Sequence, residues 1–298
     1  MSSGLVLAVL TGFGGMIGWG LADFFAKKTI DRIGDVQSLA WAGIFGTITF
    51  GIATAYQTVV RDVAFAVPQE ASTWIYLAVF GALQAAVYLF AYKGFGKGQI
   101  ALLNPVFASF SGIVALVSIF ALGEVLSGPR LAAIMIVFAG VFALSLDLSA
   151  FGAKKFTFTR IPGFNDVAIA ACLAAVWTIL WSLFVEGQDA LAYAFYMFIF
   201  MTITVFLWAF IKKLPMRVTE KGIWIFLALI GISETLAYTA ITLGYGATEY
   251  TSVVAVLSGG FSLPTIILAH IYLGERISKL QWVGCVAIIA GVMILPLV

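Results

Sequence analysis

A chain of 298 residues that is 62% hydrophobic and only 10% charged cannot cover itself with polar surface, since soluble domains are usually about a quarter charged. Its solvent must be largely lipid, and a net charge of +2 gives no sign of a nucleic-acid partner. Apolar runs of roughly 20 residues, enough to cross a ~30 Å hydrocarbon core as helix, predict ten spans. They fall near 4–26, 36–60, 73–93, 99–122, 129–148, 166–186, 190–211, 222–244, 249–273 and 278–297. A barrel would instead show alternating segments of about ten residues. The fold expected is therefore an all-α polytopic membrane protein.

Span 1 is too long, and lacks the basic front end, for a cleaved signal peptide. It carries Trp19-Gly20 near its middle and Asp23 one turn before its expected cytoplasmic end. With Lys27 at i+4, Asp23 reads either as half of a helix-end ion pair, worth only about 0.3–0.5 kcal/mol if exposed, or as a group at the mouth of a transport path. Span 3 holds Gly81, Gln84 and Tyr88. Span 4 carries Asn104-Pro105 early in its run, where proline frees a backbone carbonyl and can bend the helix. Trp177 and Trp181 lie deep in span 6. Together with Trp19 they read either as packing or as cavity walls that stack on an aromatic or cationic ligand. Span 8 holds Gly231, Glu234 and Tyr238, and span 9 holds Pro264 after two glycines. The only histidine, His270, is about one turn from the end of span 9; it reads as structural or pH-sensing. With no second His or Cys beside it, no metal site is expected. Cys172 and Cys285 fall within spans and read as small packing residues.

The longest connections, 61–72 and 149–165, are too short to bury a core, and no GxxxxGK[ST] loop is present for ATP hydrolysis. No cofactor is expected. Fourteen of the 16 basic residues fall on the side reached by the odd-numbered spans; only Arg61 and Arg130 lie opposite. The positive-inside rule makes the first side cytoplasmic and places both termini outside.

The chain also contains a repeat. Residues 74–96 and 224–246 align without a gap, and Trp74, Ile75, Leu77, Ala78, Gly81, Tyr88, Gly94 and Gly96 meet identical residues 150 positions on. A one-residue shift then aligns FSGIVALVSIFALGE (110–124) with FSLPTIILAHIYLGE (261–275), and Gly140-Val141 matches Gly291-Val292. A weaker match sets Trp19 opposite Trp177. The expected organisation is a first five-helix repeat (1–148), a cytoplasmic linker (149–165) and a second five-helix repeat (166–298). Because five is odd, the second unit enters the membrane from the opposite side. Such inverted repeats are typical of secondary transporters, whose sites lie near the midplane between the repeats.

On these features the chain resembles the EamA-type branch of the drug/metabolite transporter superfamily. The carriers of the resemblance are the two five-span halves, Trp19-Gly20 in span 1, and the duplicated Leu-Gly-Glu at 122–124 and 273–275. The resemblance covers essentially the whole chain. It implies alternating access for a small metabolite, amino acid, sugar or drug, with a central cavity lined by spans 1, 3, 4, 6, 8 and 9. It also implies cytoplasmic termini, against which the charge count of this chain stands.

The Gly-x-x-polar-x-x-x-Tyr pattern of spans 3 and 8 puts each set on one helix face. The glycine admits a neighbouring helix, and an inverted repeat would bring the two faces together near the bilayer centre. There a charge costs about 2.5–3.5 kcal/mol on insertion scales, so Glu234 must face the protein interior or water, or be protonated. It is a candidate to exchange a proton, to bind the ammonium of a substrate, or simply to bond a neighbouring Tyr or Gln. The symmetric Glu124 and Glu275 suggest a fold role, such as accepting bonds from neighbouring helix N-termini. The candidate substrate or coupling set is Glu234, Gln84, Tyr88, Tyr238, Trp19, Asp23, Trp177, Trp181 and Asn104.

The leading expectation is a secondary transporter in the plasma or inner membrane, moving an amino acid or amphiphilic amine with proton coupling through Glu234. A sugar transporter or a passive facilitator of the same fold is the alternative. An intramembrane enzyme would need a paired acid and base or a metal cluster, which the sequence does not offer. Nothing in the sequence decides oligomeric state.

Overall fold

Backbone groups in hydrocarbon must bond within their own segment, and apolar runs of this length meet that need as helices. The computed structural model describes residues 3–121, 127–144, 162–276 and 278–294, and among these all regular structure is helical. The first half comprises α1 (Ser3–Ile33), α2 (Asp35–Val60), α3 (Ala71–Phe95), the broken pair α4 (Ile100–Ala108) and α5 (Phe110–Phe120), and α6 (Gly128–Leu144). The second comprises α7 (Phe164–Val185), α8 (Ala190–Ile211), α9 (Ile223–Ala247) and the broken pair α10 (Thr251–Gly259) and α11 (Ser262–Leu268). A π-helical turn at Ala269–Leu273 and α12 (Lys279–Ile294) complete it. Among the described residues eight spans are long and apolar enough to cross a membrane; α6 and α12, which close each half, are shorter apolar helices there.

The packing repeats when the halves are exchanged. α1 lies along α9 and α10, and its counterpart α7 lies along α3, α4 and α5. α2 packs on α9 as α8 packs on α3, and α5 on α10 as α11 on α4, while α2 with α8 and α6 with α12 pair across the axis. The aligned glycines explain part of this. A Cβ on Gly81 would stand 2.8 Å from the Met197 carbonyl of α8, and one on Gly231 would stand 2.8 Å from the Ala42 carbonyl of α2. Only glycine lets the helices approach so closely. α6 and α12 likewise cover each other within one chain.

Both broken spans break at matching places. Pro105 has no N–H to bond the Ala101 carbonyl, and the Gln281 side chain of α12 donates to that oxygen instead, at 3.1 Å. The helix is interrupted at Ser109, and its counterpart at Gly260 and Phe261. The repeat-related Phe110 and Phe261 stack there, with ring centroids 6.3 Å apart. At the end of span 9, Gly274 takes φ 69°, a left-handed conformation that favours glycine. The turn returns Glu275 to the N-terminus of α4, where its carboxylate accepts from the backbone N–H of Ile100 at 3.2 Å and Ala101 at 2.8 Å. A carboxylate is favoured at that end of a helix. Glu124 and residues 149–161 of the linker lie outside the described residues.

Span 1 departs from the sequence expectation. The helix continues to Ile33 because Lys27, Lys28, Asp31 and Arg32 extend it at the basic face. Asp23 therefore lies ten residues (33 − 23), about 15 Å at 1.5 Å per residue, from the helix end, while it stays one turn from the end of the apolar run.

Candidate substrate and coupling site

Glu234 lies midway along α9 and Gln84 midway along α3, and the inverted arrangement turns their faces together. The four polar groups of the two aligned motifs form one chain of hydrogen bonds. The Gln84 amide donates to the Tyr238 hydroxyl. Tyr238 donates to the Tyr88 hydroxyl at 3.4 Å, and Tyr88 donates to Glu234 Oε2 at 2.7 Å. The chain crosses between the halves at every step. Phenols suit it because each hydroxyl both accepts and donates.

A second polar pair joins α1 to α4. Asn104 Nδ2 donates to Asp23 Oδ2 at 2.6 Å. Asp23 is 2% exposed and Glu234 4%, and each is within electrostatic reach of the other. The ion pair expected as one reading of Asp23 does not form: Lys27 turns the other way, to Asp31 Oδ1 and the Phe95 carbonyl, both at 2.8 Å. None of the ion pairs among the described residues involves Asp23 or Glu234. Gln84 Oε1 and Asn104 Oδ1 are buried without a hydrogen-bond partner, and the Trp19 indole N–H lies beside Glu234, whose Oε1 it does not reach in good hydrogen-bond geometry.

The walls are aromatic. Trp19 meets Tyr238, Phe110 and Phe261 edge-on at 5.6–6.1 Å. Trp177 meets Tyr238 edge-on at 5.7 Å, stacks on Trp181 at 5.2 Å, and donates to the Phe80 carbonyl. Between them lies a cavity of about 20 Å³, room for about one water. Trp19, Asp23, Gln84, Tyr88, Trp177 and Tyr238 line it. Glu234 stands behind Tyr88, Asn104 behind Asp23, and Trp181, fully buried, behind Trp177 with its N–H on Thr242. The lining comes from spans 1, 3, 4, 6, 8 and 9.

Sequence reasoning missed Phe107, Phe110, Phe261 and Thr178 in this lining. Phe110 and Phe261 were visible as aligned residues that open the FSGIV and FSLPT segments; Phe107 and Thr178 carried no such signal. His270 is remote from the cavity. It is exposed, and its Nδ1 meets the Glu275 carbonyl at 2.8 Å, bracing the turn after span 9. Among the described residues no group of three His, Cys, Asp or Glu could hold a metal.

At the basic face the halves are tied by Arg32 to Glu220 at 2.8 Å, and by Lys93 (3.0 Å) and Lys97 to Asp166. These pairs are partly solvated, so each is worth little alone, but all of them join the first half to the second.

Comparison with known proteins agrees with this architecture. The profile of the EamA-like transporter family matches twice, over residues 6–146 and 167–296. Among 29 solved chains with a similar fold is one described as "Crystal structure of protein". It superposes with a TM-score of 0.74 at 19% identity and covers 97% of this chain and 98% of its own. A comparison with curated proteins found no match.

Proposed function

The chain belongs to the EamA-like transporter family, and from that premise we propose that it is a secondary transporter of a small amine or amino acid. It works by alternating access, with proton coupling through Glu234. The observation that carries this reading is the burial of Asp23 and Glu234 within reach of each other, with no cation among the described residues paired to either. Two unpaired carboxylates at that depth are costly. A proton or the ammonium group of a substrate removes that cost, so the two compete for one place, which is the logic of proton-coupled exchange.

The aromatic walls suit the apolar part of such a substrate, and a cation over Trp19 or Trp177 gains further attraction. Among the described residues no Lys or Arg lines the cavity, so a phosphate ester is disfavoured. At about 20 Å³ the cavity is too small for a metabolite. The Gln84–Tyr238–Tyr88–Glu234 chain therefore has to part as the halves rock, and substrate takes up the bonds it releases. The excess of basic residues on one face supports placing that face in the cytoplasm, with both termini outside.

The test is reconstitution of wild type and Glu234→Gln in liposomes, with amines, amino acids and sugars offered with and without a pH gradient. Wild type should concentrate an amine under the gradient and the variant should lose that stimulation. Equal gradient-driven uptake by both proteins would remove Glu234 from coupling.

A further inference from the structure

A second cavity, of about 530 Å³, opens sideways where α3 of the first half meets α8 of the second. Ala82, Ala86, Phe90 and Lys93 line it from α3, and Leu207 and Trp208 from α8. Ala82, Leu207 and Trp208 are exposed, so this groove lies on the lateral surface of the bundle, where lipid tails run. From Ala82 to Lys93 is eleven residues (93 − 82), about 16 Å of helix at 1.5 Å per residue. That is about half of a ~30 Å hydrocarbon core. Ala82 stands beside mid-depth Gln84, and Lys93 is in the last turn of α3. The groove therefore runs from the membrane centre to the basic face, the depth of one leaflet.

The repeat shows that the fold does not require the groove. The residues 150 positions on from Ala82, Ala86 and Lys93 are Ile232, Leu236 and Leu243. The second half carries bulk where the first carries methyl groups, and an apolar side chain where the first carries an ammonium. Ala82 is exposed and Ala86 only partly buried, so larger side chains have room there. Nearer the basic face the exchange reverses: Leu89 and Phe90 align with Thr239 and Ala240. The first half thus keeps its groove apolar up to Lys93.

The mouth is basic. Lys93 and Lys97 share Asp166, so Asp166 keeps a partner when Lys93 turns elsewhere. The Lys212 ammonium lies 4.8 Å over the Trp208 ring and takes part in no ion pair among the described residues. Among the described residues one acid lines the groove, Asp35 at the start of α2, and its Oδ1 accepts the Val36 N–H at 2.9 Å. An indole such as Trp208 is favoured at the membrane surface.

We propose that this groove binds an anionic phospholipid of the leaflet on the basic face. One acyl chain lies between α3 and α8, and the headgroup phosphate sits at Lys93 and Lys212. A zwitterionic lipid fills the same apolar length, but its own cation opposes the two lysines, whereas a net negative headgroup is attracted. The site is separate from the central cavity and does not depend on what that cavity carries.

The probes are dioleoylphosphatidylglycerol and dioleoylphosphatidylcholine, added to the delipidated full chain in detergent and followed by native mass spectrometry. Wild type should retain one phosphatidylglycerol about tenfold more tightly than phosphatidylcholine. Lys93→Gln with Lys212→Gln should abolish that preference; both lysines are exposed, so the fold is kept. Ala82→Ile with Ala86→Leu installs the side chains of the second half and should weaken both lipids at least fivefold. Arg276→Gln with Lys279→Gln removes two charges of the same face near the start of α12, which packs chiefly on α6, and should change neither affinity. Equal retention of the two lipids by wild type would overturn the proposal, as would an undiminished preference in the Lys93/Lys212 variant. Unchanged binding in the filled variant would remove the acyl chain from the groove. An equal loss in the Arg276/Lys279 variant would reduce the effect to general attraction by the basic face.

Discussion

The two halves of this protein are alike in framework and unlike in chemistry. Gly81 and Gly231 admit helices in equivalent places, Phe110 and Phe261 mark equivalent breaks, and Tyr88 and Tyr238 reach toward each other across the axis. The charge-bearing positions of the central site do not repeat. Gln84 faces Glu234; Asp23 and Asn104 come only from the first half, and their aligned partners are Trp181 and Ala255. Packing constrains size and shape at every buried position and therefore preserves the repeat. A transport site needs charge only at certain points, so the halves diverge there. Where a repeat protein departs from its own symmetry without a packing reason, chemistry is the first explanation to test.

The largest expected effect breaks the framework. Gly81→Val and Gly231→Val each force side-chain atoms into a neighbouring backbone, and overpacking of that kind costs about 1–3 kcal/mol or more. Both variants should lose most of their monodisperse yield on size exclusion, and to a similar degree. A variant that tolerates valine at one site only would show that the packing symmetry is superficial. Next comes the chemistry. Glu234→Gln should abolish the gradient-driven part of uptake, and the exchanged protein Gln84→Glu/Glu234→Gln returns the carboxylate to the pseudo-equivalent point, against Tyr238. Because Asp23 and Asn104 remain on one side, the exchange should recover a minor part of gradient-driven uptake, about a tenth. Full recovery would mean that the asymmetry between halves is incidental.

A finer comparison sets the two tyrosines against each other. Tyr88 donates to a carboxylate and Tyr238 to a phenol. Hydrogen bonds to charged groups contribute about 1.5–3 kcal/mol and neutral ones about 0.5–1.5. Tyr88→Phe should therefore lower the uptake rate at least tenfold and Tyr238→Phe only a few-fold. Equal losses would indicate that Glu234 accepts the Tyr88 bond as a neutral acid.

Much of this was legible in the sequence, and the limits follow from what sequence periodicity can carry. Apolar run length gave the spans, and the fixed offset between 74–96 and 224–246 gave the halves and the opposed faces of Gln84 and Glu234. The length of the first helix was underestimated because the apolar run ends near Lys27, whereas the helix continues on paired and partly buried charges. Long side chains of this kind reach the interface while their stems remain apolar, so a hydropathy boundary is not a helix boundary. The partner of Asp23 was out of reach as well: Asn104 is 81 residues away, and no local spacing joins them. Phe107 and Thr178 enter the cavity wall through tertiary packing alone.

The smallest expected effect belongs to the framework again, at the Leu-Gly-Glu that ends span 9. Glu275 caps α4 with both carboxylate oxygens while it remains partly exposed. Glutamine keeps one acceptor and the shape but loses the charge that favours a helix N-terminus, an interaction worth about 0.3–1 kcal/mol. Glu275→Gln should lower the melting temperature of the detergent-solubilised protein by a few degrees at most and leave the substrate preference unchanged. Glu275→Ala removes both acceptors and should cost about 1 kcal/mol more. If either variant altered coupling to the pH gradient without lowering stability, Glu275 would belong with Glu234 and not with the repeat. The duplicated motif would then be a functional device and not a structural one.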